Sequence, residues 1–368
     1  MRDLMRFNDD QNLQVPFEGK TIVIDGNFRK ILPVIPKGTR QDIINASLNS
    51  SYLWQHCEIL RLTVNMRLQS MTTDTQVEDL KQFANWILQV GNEKSKGTSD
   101  GCSMIKIPHE FLITDYNDLI QGIVQAIYFD YIANMANESH LKGRANLVPT
   151  INVIDELNEY MTALNKNECK TYVSSNKCVF EGGVNAIEAM HTPRFLPTIR
   201  YSGFPNHELK LKVGCSIMLI RNIDHSSGLC DGMWLIITRL GDKVIEAKLL
   251  NSNNCVDKVF ILRMTFTPLD VRLPFRFQKR QFSVMLSYAM TINKIQEQSL
   301  EHVRLLRKKS IFIHGQLYVA ISRVRNKKGL KFLIAHDENT DKTENVVYPE
   351  VFRNIRQSFN IGYSLKLL

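Results

Sequence analysis

The stretch HGQLYVAISRVR, His314 to Arg325, decides how this 368-residue chain is read. Its apolar residues fit a buried helix, which we place over Gln316 to Arg323. The runs on either side, Phe282 to Ala289 and Leu330 to Ala335, read as strands. Strand, helix and strand in succession predict an α/β layer.

Working back from that layer, the chain from Arg200 to about Pro274 changes character. Runs such as LKVGCSIMLI, WLIITRL and KVIEAKLL are separated by turn-like NIDHSSGLCDG, GD and NSNN. Short strands at close spacing predict a small antiparallel β module inserted in the layer. Further upstream, Val153, Ile154, Leu157, Tyr160, Met161 and Leu164 recur at helical spacing after the short apolar strand Leu147-Val148, so an amphipathic helix follows it. Asn92 to Ser103 reads as a surface loop. Glu58 to Arg67 (EILRLTVNMR) alternates like a strand, and Asp42 to His56 carries helical spacing. Lys20 to Asp25 has the apolar core Ile22-Val23-Ile24 and reads as a buried strand.

Charge narrows the function classes. Arg and Lys total 46 against 37 acids, yet Val271 to Lys331 alone holds fourteen basic residues and two acidic ones. The positive field is therefore local, as a polyanion partner requires, since neutralised phosphates release counterions. A solvated basic face is the plain alternative. The seven cysteines are odd in number and widely spaced, without a Cys-x-x-Cys pair, which argues against zinc and disulfide frameworks. MRDLMRFNDDQ lacks the order of a secretory signal, and no apolar run is long enough to span a bilayer, so an intracellular, reducing compartment is expected.

Gly19-Lys20-Thr21 has the tail of a phosphate-binding loop. Such a loop needs a glycine five residues earlier, where Gln14 stands, and must follow a strand and open a helix. Here the triplet precedes the strand. Elsewhere the sequence holds no GxxxxGK[ST], and no apolar strand ending in Asp-Glu to hold magnesium.

Read together, several strings resemble the PIF1 (petite integration frequency) type DNA helicases, in particular their transposon-associated, helitron-like branch. GNFRKILPVI, from Gly26, is similar to the third helicase motif, with Asp25, Asn27 and Lys30 standing where that motif usually has Gly, Asp and Gln. LTVNMRL (Leu62 to Leu68) resembles the fourth motif, and LVPT (Leu147 to Thr150) the next strand and loop. Ser202 to Gly241 is very similar to the family's inserted β-barrel of Src-homology-three type. AMTINKIQEQSL (Ala289 to Leu300) resembles the fifth motif, with Ile295 and Glu297 in place of a small Ser and Gly. His314 to Arg325 matches the sixth.

The resemblance implies a RecA-like (P-loop NTPase type) second helicase domain with the β-barrel inserted, plus a remnant of the first RecA-like domain. It divides the chain into residues 1–60 (remnant, third motif), 61–195 (second RecA-like domain, first part), 196–275 (inserted barrel) and 276–368 (second part, fifth and sixth motifs). By the same resemblance Thr291, Asn293 and Lys294 face single-stranded DNA. Arg67, Gln296 and Arg323 approach the nucleotide, Arg323 as the arginine finger; no metal ligand is assigned. The implied activity is ATP-dependent, 5′-to-3′ DNA unwinding in repair, recombination or telomere maintenance, in the nucleus or the mitochondrion. ATP and Mg²⁺ are the cofactors of the full-length family, single-stranded DNA is the partner, and neither a membrane nor a small molecule beyond ATP is expected. A chain without the phosphate loop is expected not to hold ATP productively, and a non-catalytic single-stranded DNA-binding module is the alternative. A remnant without any nucleic-acid role is the third reading, and the basic stretch argues against it.

Overall fold

The computed structural model describes residues 16–62, 74–92, 101–135, 137–148, 150–179, 203–250, 258–268, 276–296, 298–307, 313–335 and 341–353. The chain divides into two compact units. One comprises Met1–His109, Lys309–Ser322 and Glu338–Leu368, the other Glu110–Lys308 and Arg323–Asp337.

The second unit contains a four-stranded sheet in the order Ala289–Thr291, Arg144–Val148, His302–Arg307, Leu330–Ile334, each pair parallel. Parallel strands need crossover connections that cover both faces, so their side chains are buried on both sides. Ala145, Leu147, Val148, Val303, Leu305 and Leu306 are accordingly buried. Helix Leu119–Ile127 packs on the two central strands, and helix Ile151–Leu164 on the edge strand Ala289–Thr291. The latter is the expected amphipathic helix, burying Val153, Ile154, Leu157 and Met161, while Tyr160 and Leu164 are only half-buried. Asn158 is buried on the same face. Its side chain donates to the Ala289 carbonyl and accepts from the Ala289 amide, at 3.3 and 3.1 Å. A buried amide with both ends bonded fixes the edge strand to the helix.

The expected antiparallel module lies within a seven-stranded sheet that extends beyond Arg200 to Pro274, because Ser175–Val179, Arg276–Phe282 and Val284–Leu286 join it. Its order is Val284–Leu286, Ser216–Leu219, Trp234–Leu240, Val244–Leu249, Lys258–Phe266, Arg276–Phe282, Ser175–Val179. Cys169–Val173 and Glu208–Lys212 form a separate antiparallel pair. Where the sequence suggests one strand from Phe282 to Ala289, there are pieces, Val284–Leu286 in the antiparallel sheet and Ala289–Thr291 in the parallel one. Tyr288 lies between them, fully buried. Its hydroxyl meets that of Tyr131 at 2.6 Å and accepts from the Ser216 amide, and its carbonyl accepts from the Asn146 amide. Burial drives its pKa well above the ordinary tyrosine value, so the phenol stays protonated.

In the first unit, helix Gln316–Ser322 packs against helix Asp74–Asn92 and strand Lys342–Val346, which pairs antiparallel with Cys102–Lys106. Four expectations change here. Ile22-Val23-Ile24 is not a buried strand: the segment has no strand partner among the described residues, and Val23 is 91% exposed. An apolar run becomes a core strand only where ladder neighbours and covering helices reach it. Glu58 to Leu62 is likewise not a strand, with Leu60 and Leu62 exposed; the rest of that segment lies outside the described residues. The helix expected over Asp42 to His56 covers only Arg40–Asn45. The Ser47 and Ser50 hydroxyls take the Ile44 carbonyl, and short 3-10 turns follow. Serine competes with the helix for backbone groups in this way. Of the expected loop Asn92 to Ser103, Asn92 closes a helix, Cys102 and Ser103 open a strand, and 93–100 lie outside the described residues.

Gly315, at φ +71°, packs against the loop holding Arg29 and Lys30. A Cβ there would meet the Arg29 carbonyl oxygen and lie 2.6 Å from that of Lys30. Left-handed backbone strain and the clash add, so Gly315→Ala is expected to destabilise this unit by about 3 kcal/mol. Urea unfolding followed by fluorescence checks this: a midpoint equal to that of the parent chain contradicts it.

Candidate functional site

The fifth-motif string begins at the carboxyl end of strand Ala289–Thr291, whose last residue pairs with Val148. The chain then tightens into a 3-10 turn, Ile292–Ile295. Ile292 and Ile295 are fully buried, which anchors the turn, while Thr291 and Lys294 are half-buried and Asn293 is exposed. Ile295 is therefore a core residue. The polar side chains assigned to DNA stay on the solvent side of that anchor. Gln296 closes the turn, half-buried.

Beyond it the string is tied to Arg323. The Leu300 amide donates to the Arg323 carbonyl at 2.8 Å, the Arg325 amide donates back to the Leu300 carbonyl, and Arg323 Nη1 donates to the Gln298 carbonyl at 3.4 Å. These contacts bring the end of the fifth-motif string and the end of the sixth together within one unit. Of the six predicted site residues, Thr291, Asn293, Lys294, Gln296 and Arg323 lie in this unit, and Arg67 lies outside the described residues. His314 to Ser322 belongs to the other unit.

There the third-motif loop meets the start of the sixth. The Asn27 side chain accepts from the Arg29 amide and donates to the Tyr318 hydroxyl, and Arg29 Nε donates to Asn92 Oδ1 at 2.7 Å. His314 Nε2 donates to the Phe28 carbonyl, and its Nδ1 accepts from the Tyr348 amide. Burial lowers the pKa of this imidazole, and the Nδ1 contact needs the neutral form.

The basic stretch is not all surface. Arg304 is buried, with its guanidinium on the carbonyls of Ala126, Val303 and Gly329, and burial together with Arg144 lowers its pKa to about 10. Lys279 is also buried. Those two charges serve packing, and Arg280, Lys294, Arg325 and Lys328 are among those that solvent reaches.

Two residues gain weight that sequence reasoning did not give them. Gln298, inside the quoted string, bridges to the β module, and Asn158 holds the strand that ends in Thr291. A polar residue on the apolar face of a predicted helix was the available signal for Asn158. Gln298 has none, because its partners are about 64 to 80 positions away in sequence.

Gly19-Lys20-Thr21 does not form a phosphate cradle. Pro16–Gly19 is a 3-10 turn, Lys20 and Thr21 are exposed outside any helix or strand, and no helix opens after them. The described residues contain no group of three or more His, Cys, Asp or Glu placed to hold a metal. Among the described residues, the Gly19-Lys20-Thr21 segment thus supplies no cradle for the phosphates of ATP. No described helix is long and apolar enough to cross a membrane.

Comparison with known proteins agrees with the fold. Residues 1–101 match the family model of PIF1-like helicase, and residues 194–240 that of the DNA helicase Pif1 2B domain. The ATP-dependent DNA helicase PIF1 of Xenopus laevis is 29% identical over 159 residues, covering 41% of this chain and 24% of that protein. Its Homo sapiens counterpart is 28% identical over 156 residues, covering 41% and 23%. These matches span about a quarter of the curated relatives' length. The crystal structure of Pif1 helicase from Candida albicans superposes with a TM-score of 0.56 at 18% identity, covering 96% of this chain and 74% of that one. Bacteroides Pif1 bound to ssDNA gives 0.53 at 19% identity, covering 90% and 66%. The α/β fold is shared with these Pif1 structures. Over the parts they match, the family models and curated relatives support a PIF1-type helicase.

Proposed function

We propose that the chain forms part of the motor of an ATP-dependent DNA helicase that moves along single-stranded DNA. On this reading residues 61–195 and 276–368 are the second RecA-like domain, 196–275 a Src-homology-three-type insertion, and 1–60 a remnant of the first RecA-like domain. Thr291, Asn293 and Lys294 contact the DNA backbone. Gln296, Arg323 and Arg67 face a nucleotide that needs a phosphate cradle from outside these 368 residues. ATP and Mg²⁺ are the cofactors of the assembled motor, working 5′-to-3′ in nuclear or mitochondrial DNA maintenance.

One observation carries the reading. Thr291 and the turn after it leave the carboxyl end of a parallel strand, where ligands of open α/β sheets bind, with apolar residues turned in and polar ones kept out. Ultraviolet crosslinking of oligo(dT) tests it. Adducts are expected on the peptide carrying Thr291 to Lys294, and adducts confined to other peptides overturn it. Should the oligonucleotide bind while no nucleotide does, the passive single-stranded DNA-binding module is the reading that stands.

A further inference from the structure

We propose that Gln298 is a positioning residue through which the turn at Gly232 in the β module sets the place of Arg323. The inference deepens the proposed function, because it rests on Arg323 being the nucleotide-facing arginine.

Gln298 grips in two directions. Its side-chain Oε1 accepts from the Trp234 indole Nε1 at 3.1 Å, and its Nε2 donates to the Gly232 carbonyl at 2.9 Å and lies 3.9 Å from Met218 Sδ. Its own carbonyl accepts from Arg323 Nη1, and two residues on, Leu300 exchanges backbone hydrogen bonds with Arg323 and Arg325. One short segment thus holds the β module with a side chain and the arginine with its backbone.

The chemistry is selective. An indole N–H can only donate and a backbone carbonyl can only accept, so one side chain that satisfies both must carry an acceptor and a donor on the same carbon. A primary amide does, whereas a carboxylate would serve Trp234 and oppose the Gly232 oxygen, and an aliphatic chain would serve neither. Trp234 is buried and well held, so losing the acceptor leaves its N–H without a partner. The β module is shaped to admit the amide. Gly232 has φ +84°, and a Cβ there would stand 2.6 Å from Gln298 Nε2. The turn itself is pinned by the Gly232 amide on the Leu219 carbonyl and the Met233 amide on the Cys230 carbonyl. Glycine at 232 is therefore required twice, for its backbone conformation and for the close approach.

The grip can be broken from either side without touching Arg323. Labelling the full chain with phenylglyoxal, which modifies arginine, and mapping adducts by peptide mass spectrometry reads the accessibility of Arg323 directly. The exposed Arg239, in the β module, is the internal reference. Gln298→Leu and Gly232→Ala are each expected to raise the Arg323 rate about fivefold, the ratio one net hydrogen bond is worth, with Arg239 unchanged. Gln298→Glu falls between, and the Gln298→Leu, Gly232→Ala double variant goes no further than either single one, because both remove the same link. An Arg323 rate that stays at the parent value in both single variants overturns the proposal. So does a rise at Arg323 matched by Arg239, which means general loosening. The labelling needs neither nucleotide nor DNA. Its failure leaves the oligo(dT) crosslinking result standing, and failed crosslinking leaves this link standing.

Discussion

No DNA-stimulated ATP hydrolysis is expected from a purified chain of these 368 residues. Phosphoryl transfer asks little covalent chemistry of a protein and depends almost wholly on cradling the phosphates, neutralising them with a metal and aligning the attacking water. On the proposed reading, Arg323 supplies one part of that apparatus. An arginine finger contributes about 10³ to 10⁵ in rate, roughly 4–7 kcal/mol of transition-state stabilisation, only where a nucleotide is held opposite it. In the one glycine-lysine-threonine triplet near the start, Gly19 closes a 3-10 turn and Lys20 and Thr21 are exposed, and the triplet leads into no helix whose amides could gather on a phosphate. Phosphate release measured with saturating single-stranded DNA checks the expectation. Turnover above background that is abolished by Arg323→Ala would contradict it, because that pattern requires a working site in this chain.

How far the sequence reveals this protein depends on where each residue's partners lie. The helix Ile151–Leu164 and the short strand before it, Leu147-Val148, are legible because their pattern is local, and the same holds for the hairpin strands Trp234–Leu240 and Val244–Leu249 with Gly241-Asp242 in the turn between them. Ile22-Val23-Ile24 is misread for the converse reason. Apolarity says that a segment gains from burial, but not what is there to cover it. Charge counting has the same blindness. Arg304 and Lys279 add to the basic excess between Val271 and Lys331 yet spend their charge inside the fold, on carbonyls of elements distant in sequence. The fifth and sixth strings are legible through resemblance. What sequence could not show is that Leu300 and Gln298 tie one to the other, since a backbone hydrogen bond leaves no trace in residue identity.

That distinction between exposed and buried charge shapes the second large effect. The chain is expected to bind single-stranded DNA in the micromolar range at physiological salt, with little sequence preference. Backbone contacts position a strand without reading its bases, and the side chains assigned to the task, Thr291, Asn293 and Lys294, are of that kind. For single strands the logarithm of affinity falls with the logarithm of salt by about 0.7 per phosphate neutralised. Lys279 and Arg304 cannot reach a phosphate from their buried places, so the slope should fall short of what fourteen basic residues would give. Lys294→Ala is expected to weaken binding about tenfold at low salt and to flatten the slope by about 0.7, one contact's share. Arg323→Ala should change both much less, because its guanidinium is directed to the Gln298 carbonyl, in the segment beyond the turn assigned to DNA. Fluorescence anisotropy with a labelled oligonucleotide over a salt series separates the cases. Equal losses in the two variants would reduce Lys294 to one charge among many, and no binding even at low salt would remove DNA from this face of the protein altogether.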